Sequence, residues 1–302
     1  MNVTGETKEI PLFSIIQLEE LYKENHLEDV SLTDFYVDRN QKVYLLIEKS
    51  LEQERKDTDW FLTASDYTAV ELKVDWTEKR VLETILFPLG AMAFQFHYLR
   101  PVGDDFLLLG ARCAYRKKEP DKNAWLVRRD GTVLSRFCLG DGIEECIVRS
   151  DSTIITSYFD EGVFGNNGWG CTYHGEYVPP VGECGLIVWT AEGVPIWKNE
   201  QYTIDDCYAI SMDEQERLWF YYYSEFQLVR TDFKEDLVLS LPFGGSRAFA
   251  AAPSGKEFLC QGGYGKREQY FFLNCQDETQ KQKVTFTVQG KEVAVGRCSL
   301  LC

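Results

Sequence analysis

The sequence predicts an all-β fold, and three of its features support that prediction. Its 302 residues include 16 Tyr, 19 Phe and 7 Trp but only 3 Met, a bias toward side chains that fit a pleated surface. β-Rich runs occur in pairs that flank short polar turns, and Asp130-Gly131 is the strongest of these hairpin signals. The pairs recur along most of the chain, which indicates that one supersecondary unit is repeated.

The spacing of the repeats predicts a β-propeller. The first turn of each unit can be placed in five successive copies, at Asn40, Gly103, Ser152, Glu214 and Gly255. The units therefore recur about every 40 to 60 residues, and the shorter intervals match the period of four-stranded propeller blades. The longer intervals contain loop insertions. Two packed β-sandwiches are the structural alternative.

The predicted elements begin with a weakly alternating strand at residues 8–16. Residues 17–26 follow as a short helix or an extended lead-in. Ten hairpins are then predicted, at residues 34–47, 69–87, 96–111, 124–139, 145–158, 185–197, 206–223, 226–241, 247–261 and 269–288. Two successive hairpins make one four-stranded blade, so five blades are recognisable.

The two ends of the chain predict a sixth blade. Residues 293–302 begin another first hairpin and the sequence then stops. Because a radial array of sheets has to close on itself to protect its strand edges, the strand at residues 8–16 is the expected closing material. We therefore expect a single propeller domain over residues 1–302, with six four-stranded blades and the last blade closed by the N-terminal strand.

Charge and apolar content narrow the class of partner. The formal net charge is -16, and such a field repels phosphate backbones and anionic lipid headgroups, so neither a nucleic-acid nor a membrane partner is expected.

The start of the chain lacks the pattern of a secretory signal, and no stretch supplies the roughly 20 apolar residues of a membrane span. Most of the ten Cys fall in or beside apolar strand patterns, where they act as small buried hydrophobes. A soluble cytoplasmic protein is expected.

The long insertions predict one functional face. In an up-and-down blade, the loop between the second and third strands shares an end with the blade-to-blade connections. The insertions at 112–123, 159–184 and 262–268 all fall there, and long loops of this kind are often functional. With the adjoining strand ends they predict a mainly acidic channel mouth with these ligand-binding residues: Asp34, Arg112, Glu145, Tyr158, Asp160, Glu161, Trp169, Asp206, Tyr223 and Arg247.

Two groups of residues on that face are candidate metal sites. Grouped carboxylates resist ionisation unless a cation or a basic group joins them, so Asp160, Glu161 and Asp206 are candidates for calcium, which prefers oxygen ligands. The alternative is a hydrated acidic rim. Cys171, His174 and Cys184 offer three soft zinc ligands in one loop, but their spacing matches no strong zinc pattern, and a packed aromatic loop is the alternative. No catalytic motif is recognisable, so no catalytic residue is assigned.

The repeat pattern resembles the six-bladed propeller superfamily that includes gluconolactonase-like, TolB-like and NHL-repeat proteins. The segment SYFDEGVFG at residues 157–165 also resembles one found in uncharacterised bacterial propeller proteins. In gluconolactonase-like enzymes a metal held by carboxylates and Asn polarises a lactone carbonyl. Residues of these types occur in this sequence, but no motif matches well enough to transfer their roles; they are Asp160, Glu161, Asn166, Asn167 and Asp206.

The functional prediction is a non-enzymatic binding propeller. Its acidic mouth and aromatic-rich loops favour a protein or peptide ligand of basic character, because Tyr, Trp and Arg anchor interfaces. The alternative is a metal-dependent hydrolase or lyase of gluconolactonase-like type that uses the same mouth. A structural scaffold without a ligand is the third hypothesis. No cofactor is assigned beyond the calcium candidate.

Overall fold

A computed structural model describes residues 7–12, 17–51, 61–116, 118–173, 175–241, 243–252, 254–274 and 281–293. These residues form two compact units. One consists of Met1–Phe13 with Glu200–Cys302, and the other is Ser14–Asn199. Within the described ranges the two α-helices have only seven and five residues, and no helix is long and apolar enough to cross a membrane.

Three four-stranded sheets make up the unit Ser14–Asn199. The strand β1 (Lys8–Pro11) comes before them in the chain and belongs to the other unit, whereas helix α1 (Leu18–Glu24) packs on the first sheet. The first sheet contains β2 (Ser31–Val37), β3 (Val43–Ser50), β4 (Ala64–Asp75) and β5 (Arg80–Ala93). The second contains β6 (Tyr98–Val102) and β7 (Asp105–Leu109), then an insertion with β8 (Tyr115–Arg116) and β9 (Glu119–Pro120), and finally β10 (Ala124–Val127) and β11 (Val133–Phe137).

The third sheet carries the longest insertion. It contains β12 (Ile143–Val148) and β13 (Ile154–Tyr158), then helix α2 (Asp160–Phe164) with the small hairpin β14 (Thr172–Tyr173) and β15 (Glu176–Tyr177), and finally β16 (Leu186–Trp189) and β17 (Pro195–Lys198). Both insertions therefore join the second and third strands of a sheet, as predicted from the sequence.

Two further sheets make up the other unit. The fourth sheet contains β18 (Asp206–Met212), β19 (Leu218–Tyr223), β20 (Gln227–Thr231) and β21 (Asp236–Ser240). The fifth contains β22 (Phe249–Ala251), β23 (Glu257–Gln261), β24 (Tyr270–Asn274), β25 (Lys281–Val288) and β26 (Lys291–Val293), joined by β1. Apart from β1 and β26, strand order within each sheet follows chain order. This up-and-down arrangement is that of propeller blades, and it differs from the Greek-key order of sandwiches.

Burial explains which strand takes which position. The second strand of a sheet is covered on both faces and reads as an apolar run, as in β7 (DFLLL) and β19 (LWFYYY), where nearly every residue is buried. The fourth strand alternates instead, as in β21, whose residues are exposed and half-buried in turn. Within each unit the core therefore lies between neighbouring sheets and excludes water from their inner strands.

The blade count corrects the sequence prediction. The described residues contain five blade sheets, so the predicted all-β chain of four-stranded blades is confirmed but the count of six is wrong. The N-terminal strand β1 does not begin a sixth sheet, because it pairs in parallel with β25, Lys8 opposite Val284 and Pro11 opposite Thr287. Its hydrogen-bonding groups thus extend the fifth sheet. Residues 294–302, where another hairpin was predicted, lie outside the described residues.

Candidate functional site

Arg112 forms the centre of an ionic cluster at the base of the long insertion. Its guanidinium binds Asp141 through two hydrogen bonds, Nε to Oδ1 at 2.9 Å and Nη2 to Oδ2 at 3.1 Å, and contacts Glu161 Oε2 at 2.6 Å. Asp141 is almost fully buried and also accepts hydrogen bonds from the Cys113 amide and the Asn167 side chain. Two-point binding of this kind fixes both partners. The cluster therefore ties α2 to the second sheet.

The backbone of the insertion is held by close packing as well. Gly162 lies so near Gly142 that a Cβ added to Gly162 would meet the carbonyl oxygens of Asp141 and Gly142 at 2.6 Å. The indole of Trp169 donates to the Cys113 carbonyl at 2.8 Å and is 6% exposed. The Tyr115 amide in turn donates to the Asn167 carbonyl. The insertions of the second and third sheets are thus packed together as one rigid platform.

The outer surface of the insertion carries two aromatic residues. Phe164, at the end of α2, is 63% exposed, and Tyr177, on β15, is 61% exposed. Their backbones adjoin the same residue, because a Cβ on Gly170 would touch the Phe164 carbonyl and the Gly170 amide donates to Val178. Asp160 and Glu176 are exposed on the same elements. We call Asp160, Phe164, Glu176 and Tyr177 the insertion surface.

Tyr158 and Trp169, predicted as ligand-binding residues, lie in the core. Tyr158 is fully buried, and its hydroxyl donates to the Leu139 carbonyl at 2.5 Å and accepts from Thr156. Burial raises the pKa of its phenol well above the ordinary value. Asp160 is exposed, and Glu161 is half-buried against Arg112. Of the residues predicted on the insertion as ligand-binding, the two carboxylates are the ones that reach solvent.

A second cluster joins the first strands of three consecutive sheets. Arg100, on β6, is 3% exposed and donates from Nη1 to Asp34 Oδ2 on β2 at 2.5 Å and from Nε to the Cys146 carbonyl on β12 at 2.7 Å. Its Nη2 is 3.4 Å from Glu145 Oε1. Asp34 and Glu145 are predicted site residues, and the structure brings both to one buried cation, Arg100, which the sequence pattern does not single out.

Aromatic rings complete the surroundings of Arg100. Its guanidinium carbon lies 4.2 Å from the centroid of the Tyr36 ring and 5.3 Å from that of Tyr98. Burial disfavours the charged guanidinium, but Asp34, Cys146, Glu145 and Tyr36 together outweigh burial and raise the pKa of Arg100. Burial also raises the pKa of Tyr36 and of the Cys146 thiol, each to about 12. Arg100 is therefore the permanent charge of this cluster, and its role is structural.

The other unit brings together the remaining predicted residues. Arg247 Nη2 lies 3.4 Å from Asp206 Oδ2, and its guanidinium stacks over the Tyr208 ring at 4.6 Å. The hydroxyls of Tyr208 and Tyr264 are hydrogen-bonded to each other. Tyr223 is 41% exposed, and its ring centroid lies 5.4 Å from that of Phe226. Asp206, Tyr223 and Arg247 thus border a patch of aromatic rings.

The calcium candidates do not form a ligand set of their own. Among the described residues no three His, Cys, Asp or Glu side chains are grouped as metal ligands. Glu161 contacts Arg112 and accepts from Asn166 at 2.7 Å, which, together with the Arg112 charge, lowers its pKa. Asp160 Oδ1 accepts from the Glu161 amide. Asp206 belongs to the other unit.

The zinc candidates can be placed only in part, because His174 lies outside the described residues. Cys171 is exposed. Burial raises the pKa of the Cys184 thiol, and its Sγ lies 3.4 Å from the Leu186 carbonyl oxygen, to which it donates. Zinc needs a thiolate, so the surroundings of Cys184 disfavour the form that would bind the metal.

Comparison with known proteins identifies no family for this chain. No family model matches it, and no curated protein matches it in sequence. Remote structural likeness is found to virginiamycin B lyase from Staphylococcus aureus, with 11% identity over 90% of this chain and 89% of that one and a TM-score of 0.47. The periplasmic gluconolactonase of Pseudomonas aeruginosa shows 11% identity over 87% and 85% of the two chains, with a TM-score of 0.44.

A third likeness is to the extracellular domain of a putative one-component system from B. thetaiotaomicron. It has 8% identity and a TM-score of 0.45 over 87% of this chain, which spans only 30% of that protein. Likenesses this remote carry no argument about activity, so the function has to be argued from the residues of this chain.

Proposed function

We propose that this protein is a non-enzymatic binding protein and that the insertion surface recognises a basic protein or peptide. One observation carries the proposal: Phe164, on a helix that the Arg112–Asp141 pair and the Arg112–Glu161 contact hold in place, and Tyr177, on the hairpin of the same insertion, are 63% and 61% exposed. Large aromatic side chains are the usual anchors of protein interfaces. Here they stand outside the core on a platform that does not need to reorganise.

The charge of the insertion favours a basic partner. Residues 159–184 contain four carboxylates and neither Lys nor Arg; these carboxylates are Asp160, Glu161, Glu176 and Glu183. Glu161 is compensated by Arg112, whereas Asp160, Glu176 and Glu183 are exposed. Complementary charge at an interface speeds association and rejects acidic competitors.

The rigidity of the platform adds to the affinity it can reach. A loop that becomes ordered on binding loses conformational entropy, which subtracts from the binding free energy. The Arg112–Asp141 pair and the contact of Gly162 with Gly142 already order this insertion in the absence of a partner. Binding therefore requires the ordering of few groups beyond the exposed side chains.

The alternative of a metal-dependent hydrolase or lyase requires a carboxylate set that is available to an ion. Glu161 is engaged by Arg112 and Asn166, which leaves Asp160 as the calcium candidate of this insertion with no ion-pair partner among the described residues. Elemental analysis of the purified protein distinguishes the hypotheses. One equivalent of calcium that is lost in Asp160→Asn would favour the hydrolase, whereas its absence would favour the binding protein.

The binding proposal is tested by selecting ligands from a peptide-display library on the immobilised protein. We expect the selected peptides to be rich in Lys and Arg. Phe164→Ala and Tyr177→Ala should each weaken binding of the best peptide by about 2 kcal/mol, which raises its Kd roughly thirtyfold. Fluorescence anisotropy measures this Kd. Higher salt should weaken the binding further.

Ile196→Ala is the matched control, because Ile196 is 56% exposed on β17, outside the insertion surface. The Ile196→Ala variant should bind the selected peptide with the same affinity as the unsubstituted protein. Selection of peptides without a basic bias, or equal binding by the Phe164 and Tyr177 variants, would rule out the insertion surface as the recognition site.

A further inference from the structure

A cleft of about 670 Å³ lies at the insertion end of the fifth sheet. It adjoins a break in the strand pairing of β25. Since β1 occupies one edge of β25 over residues 284–287, both β24 and β26 pair with the other edge. On that edge β24 begins at Tyr270, opposite Val284, and β26 ends at Val293, opposite Phe286. The two strands diverge there, and the cleft lies beside the gap.

The floor of the cleft is aromatic and its rim is charged. Tyr270 and Phe286 are buried, and their rings meet edge to face with centroids 5.0 Å apart. The rim carries three exposed cations and two exposed carboxylates; the cations are Lys266, Arg267 and Lys283, and the carboxylates are Glu268 and Glu292. In the part of the chain that the structure describes, none of these three cations is ion-paired.

This group of cations is unusual in a chain of net charge -16. Lys281, on β25 two residues before Lys283, has its ammonium over the Phe271 ring at 3.8 Å. Burial lowers the pKa of Lys281, and the charge of Lys266 lowers it further. The ammonium groups of Lys281 and Lys266 therefore repel each other, and an anion bound to Lys266 at the rim would relieve that repulsion.

We propose that this cleft binds a small organic anion that carries a flat apolar group. Lys266, Arg267 and Lys283 hold the anionic end, and the apolar group packs against the ring of Tyr264, which lines the cleft and is 53% exposed. The volume falls within the range of small-molecule sites, about 300 to 1,000 Å³. The cleft is formed entirely by the unit that contains residues 200–302. It is therefore independent of the insertion surface and of the function proposed for it.

Isothermal titration calorimetry with phenyl phosphate tests the proposal, and inorganic phosphate and phenol serve as the two half-ligands. We expect phenyl phosphate to bind with a Kd of about 1 mM or tighter. Each half-ligand should bind at least about tenfold more weakly. Raising the salt concentration should weaken the binding of phenyl phosphate, because the rim cations are exposed and salt screens their charge.

Lys266→Gln and Lys283→Gln should each raise the Kd of phenyl phosphate about fivefold. Lys256→Gln is the matched control, since Lys256 is an exposed lysine of the same unit that does not line the cleft. Absence of phenyl phosphate binding would overturn the proposal. So would equal binding by the Lys266 and Lys283 variants, or inorganic phosphate binding as tightly as phenyl phosphate.

Discussion

Arg100 Nη1 and Asp34 Oδ2 lie 2.5 Å apart, in a pair whose side chains are only 3% and 13% exposed. The pair joins β6 to β2, the first strands of two neighbouring sheets. Asp34 Oδ2 also accepts a hydrogen bond from the Leu99 amide at 2.8 Å. A backbone group and a side chain of β6 therefore depend on one carboxylate of β2, which fixes the two sheets relative to each other.

We expect Arg100→Met to destabilise the protein by about 3 to 5 kcal/mol, because it leaves the Asp34 carboxylate buried without its cation. The free energy of unfolding from urea denaturation measures the effect. Arg149→Met is the control, since the Arg149–Asp151 pair has side chains 22% and 52% exposed and should contribute less than about 1 kcal/mol. A loss at Arg100 as small as at Arg149 would mean that Arg100 does not hold the sheets together.

Glu71 should make stability depend on pH. It binds Lys42 Nζ at 2.5 Å and Arg129 Nη1 at 2.8 Å. Burial by itself raises its pKa, but the hydrogen bonds from Lys42 and Arg129 outweigh burial and hold the pKa below the ordinary 4.5. Because the folded state favours the carboxylate, its contribution is fully present above pH 4.5 and is lost as the pH falls through the folded pKa.

Glu71→Gln should therefore lower the free energy of unfolding at pH 7 by about 1 to 3 kcal/mol. The difference from the unsubstituted protein should shrink as the pH falls below 4.5. Urea denaturation at a series of pH values checks this, with Glu78→Gln, at an exposed turn position, as the control. A difference that stays constant from pH 7 to pH 3 would show that the loss is steric and not ionic.

Much of the fold could be predicted from the sequence because its signals are local. Turn residues such as Asp130-Gly131 and Glu192-Gly193 fall between paired strands as expected. The sixth blade could not be judged in this way. Alternation in residues 8–16 indicates a strand, but the choice of β25 as its partner depends on which sheet edge is left open by distant parts of the chain. No local sequence pattern in residues 8–16 therefore indicates which strand they pair with.

The sites were predicted less completely, for a related reason. Asp34 and Glu145 were placed at strand starts by the repeat alignment, but Arg100 lies in an aromatic strand pattern and looked like part of the sheet. Counted from the aligned turns, the counterpart of Asp34 in the next unit is His97, so the repeat alignment offered no signal for Arg100. For Tyr158 and Phe164 the sequence does not show which ring faces inward. Packing of the insertion against the second sheet decides that.

Tyr158→Phe tests whether Tyr158 is a core residue, as its burial indicates. The Trp189 indole donates to Thr156 Oγ1, which donates to the Tyr158 hydroxyl, which donates to the Leu139 carbonyl. Removing the hydroxyl leaves a buried donor and a buried acceptor unsatisfied, so stability should fall by about 1 to 3 kcal/mol. Peptide affinity at the insertion surface should not change. If the variant bound the peptide more weakly but unfolded with an unchanged free energy, Tyr158 would belong to the binding site instead.

Gly162→Ala should disturb the insertion surface from beneath. The new Cβ would lie 2.6 Å from two backbone carbonyl oxygens, those of Asp141 and Gly142. Backbone in a packed interior yields little, so α2 has to move away from Asp141 and carry Phe164 with it. We expect a stability loss of about 1 to 3 kcal/mol and weaker binding of the selected peptide. Gly244→Ala is the control, because Gly244 has no positive φ and a Cβ there would meet nothing closer than the Phe226 ring at 3.4 Å. If Gly162→Ala lowered stability but left peptide affinity intact, the position of α2 would not matter for recognition, and Tyr177 would be the anchor to examine.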